Sequence, residues 1–210
     1  MMETGQKSKA DKKVIGLTGK YCAGKNRAAL LLEKRSIPVL DVDKLGHHVI
    51  EMEKERLLSR FGEEILGIGG LIDRKKLGEK VFGRPDEMKE LEEIIHPGVN
   101  RETASWINAR EEKACVINAA LLHRSSAFEM LDAVIIVEAP FVVRLLRAKK
   151  RDRLPWKVLL RRFKSQKEFT SQFFNGKTDI YRVENDGFGL FPAKNKLENR
   201  INEIISLMGL

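Results

Sequence analysis

Two cysteines in 210 residues, Cys22 and Cys115, are too few and too far apart in the chain to build a disulfide framework. Neither zinc-ligand spacing nor the interleaved aromatic and basic residues of an RNA-binding module occurs, which removes the usual sequence support for a nucleic-acid reader. Apolar runs are short, and none approaches the roughly 20 residues that span a bilayer. Internal repeats and low-complexity segments are also absent. The first residues carry Lys7, Lys9, Lys12 and Lys13 but lack the apolar middle region of a secretory signal. Residues 1–13 are therefore expected to form a flexible basic tail, and the protein to be cytoplasmic with no membrane partner.

What is present is a globular composition, 42% hydrophobic and 33% charged, in a chain long enough for one core or one core with an inserted subdomain. Lysine and arginine number 39 against 30 acidic residues, a formal net charge of +9. Such an excess suits polyanions. Nucleic acid satisfies it, and so does a basic pocket for phosphate-rich small molecules.

The run Gly19-Lys20-Tyr21-Cys22-Ala23-Gly24-Lys25-Asn26 separates these readings. It follows the apolar stretch Val14–Thr18 and precedes a helix-like segment. Glycines at both ends let the backbone curve so that successive N–H groups converge, and the helix that follows adds its positive end. Lys25 supplies a cation that reaches the β- and γ-phosphates of a nucleotide. The last position is Asn26 where Ser or Thr would place a hydroxyl on Mg²⁺; an amide oxygen can take that place. The plain alternative is a glycine-rich strand-to-helix turn without a ligand.

Val14–Thr18 and Ile37–Asp41 read as buried strands around a helix carrying Leu30, Leu31 and Leu32. Ala114–Asn118, Ala133–Glu138 and Ile180–Val183 add three more, giving a five-stranded parallel sheet in an α/β fold. The interval from about 44 to 113 reads as helical. Asp73 is an expected N-cap for Arg74–Phe82, Pro85-Asp86 opens a helix through Ile95, and His96-Pro97 is expected to break it before another helix ending near Glu112. So long an interval is a helical insertion with room for a second substrate.

Arg144–Arg162 is dense in positive charge. Arg147 and Arg151 stand four apart and share a helix face, and Arg162 follows after Pro155. A lid that closes on phosphates fits the pattern, and so does a solvated helix face. Asp41 and Asp43, at the end of the second strand, have the period-two spacing that points two side chains the same way. A carboxylate there can orient an acceptor hydroxyl and take its proton; Asp43 can equally be an N-cap. A GTPase would need Asn-Lys-x-Asp after a late strand; Asn195-Lys196-Leu197-Glu198 ends in Glu and lies within the helix-like run Pro192–Met208.

Several blocks together resemble one family, the dephospho-coenzyme A kinases. They are Ile15–Gly19, Val39–Asp43, Ile72–Leu77 leading to Val81-Phe82, Leu91–Pro97, Leu121-Leu122, Arg151-Asp152, Arg162 with Gln166, and Asp179 with Asn185-Asp186-Gly187. The resemblance implies a P-loop kinase-like three-layer fold over 14–210, with a helical acceptor-binding insertion at about 44–113 and a lid at about 148–168. It implies transfer of the γ-phosphate of ATP to the ribose 3′-hydroxyl of dephospho-coenzyme A, giving coenzyme A and ADP. Asp43, Lys25 and Arg162 fall at catalytic places. Gly19 through Asn26, Arg147, Arg151 and Asn185 fall at places that hold ATP. Asp43, Asp73, Arg74, His96 and Pro97 belong to the acceptor region, although His96 can also be a helix-terminating residue. Asn26 and Asn118 stand where the family more often has a hydroxyl and a carboxylate for Mg²⁺. Two amides there weaken the metal site, and a nucleotide-binding sensor is the alternative reading. ATP and dephospho-coenzyme A are the expected partners, without nucleic acid.

Overall fold

The computed structural model describes residues 12–120, 122, 129–165, 178–187 and 194–210. Expectations for Lys7, Lys9, Leu121, Gln166 and Pro192 lie outside these residues, as does the end of the expected lid. The chain divides into two compact units, one formed by residues up to Leu40 together with those from Arg110 onward, the other by Asp41–Ala109.

The first unit is built on β1 (Lys13–Gly19), β3 (Ala114–Asn118), β4 (Ala133–Glu138) and β5 (Asp179–Glu184), with β2 (Val39–Asp41) at one edge, in the order β2-β3-β1-β4-β5. The strands run parallel: Ile15 pairs with Val116 on one side and Ala133 on the other, and Val134 with Ile180. β1 begins at Lys13, one residue before the expected Val14. Its backbone N–H donates to Lys113 O and its ammonium to Met208 O, which removes Lys13 from any tail. Successive strand residues alternate between faces. Ile15, Leu17, Val116, Ile135 and Val137 form one core with Ala28 and Leu32 of α1 (Lys25–Glu33) and Leu197, Ile201 and Ile204 of the C-terminal helix Lys194–Leu207. Cys115, Ile117, Val134 and Ile136 on the opposite face are also buried. Both faces of the sheet are thus covered, as continuous apolar strands require.

The second unit is helical. α2 (Val42–Met52) is capped by the Asp41 carboxylate, which accepts from Lys44 N at 3.2 Å. α2 therefore starts one residue past β2, and Asp43 lies in its first turn. Asp41 and Asp43 do not share a strand face: the cap at Asp41 ends the period of two that the spacing suggested. After α3 (Lys54–Phe61) come two 3₁₀ turns, and then α4 (Arg74–Val81), where Asp73 accepts from Lys75 N and Lys76 N at 2.8 and 3.3 Å. α5 (Pro85–Asn108) starts with proline at its first turn, where no intrahelical donor is needed.

α5 is continuous through His96-Pro97, which contradicts the expected break. Proline costs one hydrogen bond and crowds the preceding turn, but Ile95, Gly98 and Val99 around it are buried in a core with Val49, Leu57, Phe61 and Leu77. A Cβ added at Gly98 would stand 2.6 Å from Val49 Cγ1, so close helix contact is available there and outweighs the local penalty. His96 is consequently an exposed mid-helix residue rather than a terminator. Pro97→Ala should restore the lost hydrogen bond at a small cost in unfolded-chain freedom, raising stability by about 1–2 kcal/mol. Urea denaturation with unchanged slope would register it as a higher midpoint.

The later helices belong to the first unit. α6 (Phe141–Asp152) ends at Arg153, which is left-handed at φ 54°, and α7 (Trp156–Ser165) follows; α8 is Lys194–Leu207.

Candidate active site

Strand order turns at β1, which has β3 on one side and β4 on the other, and ligands of open parallel sheets sit beyond the carboxyl ends of strands at such a place. The Gly19–Asn26 run lies there. A Cβ on Gly19 would stand 2.5 Å from Val137 O, so the close approach of β4 requires glycine at the strand exit. The turn closes through Ala23 N donating to Lys20 O at 2.9 Å, and Gly24, at φ 109°, caps α1. No side chain caps that helix and no acid occupies its first turn, which suits an anionic ligand. Lys25 opens α1 and Asn26 is exposed beside it.

At the end of β3, Asn118 pairs in register with Leu17 and is 2% exposed. Its Oδ1 finds no hydrogen-bond donor among the described residues. A buried amide oxygen without a partner costs free energy unless something else satisfies it. Oxygen is also the donor that Mg²⁺ selects, so the chemistry of Asn118 fits a metal or metal-bound water; Asn26 at the start of α1 is exposed.

The arginines converge on the loop. Arg147 Nη1 donates to Cys22 O and Ala23 O at 3.3 and 3.1 Å. Arg144 reaches Tyr21 O at 3.5 Å and Ala139 O at 3.0 Å. The Arg151 guanidinium lies 5.1 Å from the Tyr21 ring centroid and bonds Asp152, while Arg162 is 3.4 Å from the Tyr21 hydroxyl and 3.7 Å from Asp152. The Tyr21 hydroxyl itself donates to Asp152, and Phe163 meets the Tyr21 ring edge-on at 5.3 Å. Asn185, expected at the nucleotide, is buried and donates from its amide to Ala23 O at 2.7 Å. Phe163 was not singled out in the sequence, and Asp152 entered only as part of the Arg151-Asp152 block. Asp152 carried a signal, being the one acid between Arg144 and Ser165.

Cys22, at φ 60°, packs among Ala148, Leu159 and Phe163. Its thiol is pushed up because burial outweighs the lowering by Arg151, Arg147 and Arg144. Neighbouring cations and a helix end suggest a reactive thiolate; desolvation reverses that expectation. Cys115 in β3 is pushed up by burial to about 11. In the second unit, Asp73 is spent on its cap, whose two backbone donors hold its carboxyl below the usual range. Arg74, His96 and Pro97 are exposed.

The family model for dephospho-CoA kinase matches residues 13–181. This chain belongs to the dephospho-CoA kinase family. The family's enzyme from Shouchella clausii is 34% identical over 179 residues, which cover 82% of this chain and 89% of that protein. A crystallised Thermus thermophilus protein superposes with a TM-score of 0.79 at 28% identity, over 93% of this chain and 97% of its own. Dephospho-CoA kinase from Campylobacter jejuni gives 0.63 at 23% identity over 95% and 98%, a likeness of fold. Family membership makes the chain a kinase of coenzyme A biosynthesis and accounts for a phosphate loop with a lysine at its end.

Thiol alkylation checks the electrostatics. With its pKa above the ordinary thiol value, Cys22 should label slowly at pH 7 in the folded protein, and the rate should climb roughly tenfold per pH unit up to and beyond pH 9. Rapid labelling at pH 7 mapped to Cys22 contradicts this.

Proposed function

We propose that this chain transfers the γ-phosphoryl group of ATP to the ribose 3′-hydroxyl of dephospho-coenzyme A, releasing coenzyme A and ADP. The observation that carries the reading is the family match across 13–181 together with the Gly19–Asn26 loop standing at the carboxyl end of the central strand. In the transfer, the acceptor oxygen bonds to the γ-phosphorus as the bond to the β–γ bridging oxygen breaks, and ADP leaves with that oxygen.

The loop amides and the α1 N-terminus hold the phosphates, and Lys25 neutralises charge on the transferring group. Asp43 is the carboxylate that orients the acceptor hydroxyl and takes its proton. Its position supports this: it is exposed in the first turn of α2, the helix that the Asp41 carboxylate caps. Arg151 and Arg162 are the lid cations, drawn to the loop by Tyr21 and Asp152 and able to turn their donors to phosphate oxygens. Asn118 Oδ1 and Asn26 are the residues that would hold Mg²⁺. That ion would supply positive charge to offset the charge of the phosphates. Arg74, His96 and Pro97, with Asp73 fixing the start of α4, are assigned to acceptor binding. The sensor alternative has no supporting observation.

Release of ADP from ATP, measured with and without dephospho-coenzyme A, tests the reading: turnover should depend on the acceptor. ADP release indifferent to it overturns the assignment. Asp43→Asn keeps size and removes the proton acceptor, so kcat should fall by about a hundredfold or more while ATP affinity stays within a few fold. Near-native turnover removes Asp43 from the chemistry.

Asn118→Ala addresses the metal. Removing an unsatisfied oxygen offsets part of the lost packing, so unfolding without nucleotide should change by under about 1 kcal/mol. The half-saturating Mg²⁺ for turnover should rise several-fold. An unchanged Mg²⁺ requirement places the amide outside the metal's reach.

A further inference from the structure

Three segments leave the carboxyl edge of adjacent strands: the phosphate loop after β1, α6 after β4, and Asn185–Gly187 after β5. Asn185 N donates to Glu138 O at 2.7 Å, extending the β4–β5 pairing by one rung and fixing where its side chain starts. The side chain is 3% exposed and its amide nitrogen bonds Ala23 O at 2.7 Å. That nitrogen also occupies the place where a Cβ on Gly24 would project, so the left-handed glycine and the asparagine require each other.

Arg147 completes the connection. Its Nη1 donates to Cys22 O and Ala23 O, at 3.3 and 3.1 Å. Its Nη2 donates to Asn185 O at 2.9 Å, Asn185 Oδ1 at 3.3 Å and Gly187 O at 2.6 Å. One planar fork therefore spans both segments, which a lysine's point charge does not reproduce. A trans peptide carries its C=O and N–H on opposite sides. Holding Cys22 O toward Arg147 turns the Ala23 N–H the other way, into its bond with Lys20 O at 2.9 Å. Holding Ala23 O likewise turns the Gly24 N–H away from Arg147.

We propose that Arg147 and Asn185 are positioning residues that bracket the phosphate loop to the turn after β5, setting the peptide planes of Cys22–Gly24 before any nucleotide arrives. The inference deepens the ATP-dependent reading above and departs from it at Arg147, whose guanidinium is committed to backbone carbonyls instead of phosphates. The role is preorganisation: a loop already in its binding form gives up less freedom on binding.

Amide hydrogen exchange on the nucleotide-free protein decides the matter without reference to turnover. In Arg147→Lys and in Asn185→Ala, the amides of Ala23, Gly24 and Lys25 should exchange about tenfold or more faster, while those of α4 and α5 keep their rates. Inorganic tripolyphosphate should bind each variant about tenfold or more weaker, and the double variant should be little worse than the worse single one, because the two residues share acceptors and bond each other. In turnover, KM for ATP should rise while kcat at saturation stays within about threefold. Unchanged loop exchange in Arg147→Lys with lost tripolyphosphate affinity assigns Arg147 to direct phosphate contact and overturns the proposal. Independent, additive effects of the two substitutions overturn it as well. Absence of acceptor-dependent ADP release with the exchange result intact would refute the kinase reading and leave the bracket standing.

Discussion

The left-handed backbone at Gly24, with the Asn185 amide seated where a side chain would be, is the constraint on which the rest of the site depends. It places the start of α1, because Gly24 O accepts from Arg27 and Ala28 N–H and so begins the helical ladder. It also fixes the position of Asn185, since only a residue without Cβ admits the amide at that distance. The β4–β5 pairing delivers Asn185, the β1–β4 pairing delivers Gly19, and the loop is suspended between them. Sheet register and site geometry are therefore one specification.

The positive charge near the loop has a structural share that net charge does not reveal. Arg144 stacks over Phe163 at 5.1 Å from the ring centroid, Arg151 over Tyr21, and Arg147 is half-buried against carbonyls. Delocalised, weakly hydrated guanidinium groups tolerate such settings where ammonium groups would not. Burial holds Arg144 and Arg147 below the ordinary arginine pKa, yet that value starts so high that both stay charged near neutrality. Asp152 supplies the balancing carboxylate to Arg151, Arg162 and the Tyr21 hydroxyl at once.

Strands with continuous apolar runs were legible from residue types alone: β3 and β4 coincide with the expected spans, and β5 exceeds its span by one residue at each end. Short polar boundaries were less so. The switch from β2 to α2 hinges on which of two aspartates bonds a backbone amide, and spacing does not distinguish Asp41 from Asp43. Pro97 misleads for a different reason. The local rule is sound, but burial of Ile95 and Val99 against α2 depends on residues about 50 positions away, which no window around the proline contains. In the site, the loop and Lys25 follow from a contiguous motif. Arg147 and Asn185 were legible only as expected ATP contacts; their bonds to the loop carry no such signal, because those partners are main-chain carbonyls, which every sequence has. Cys22 shows the same limit: the cations near it are countable in the sequence, and the burial that overrides them is not.

Asn118 has a consequence for the life of the chain in a cell. An interior oxygen with no donor among the described residues costs the fold free energy, and any occupant that satisfies it binds the folded chain and not the unfolded one. At a free concentration a hundred times its dissociation constant, such an occupant adds about 2.7 kcal/mol to folding. The chain without such an occupant is then the form more open to chaperones and proteases.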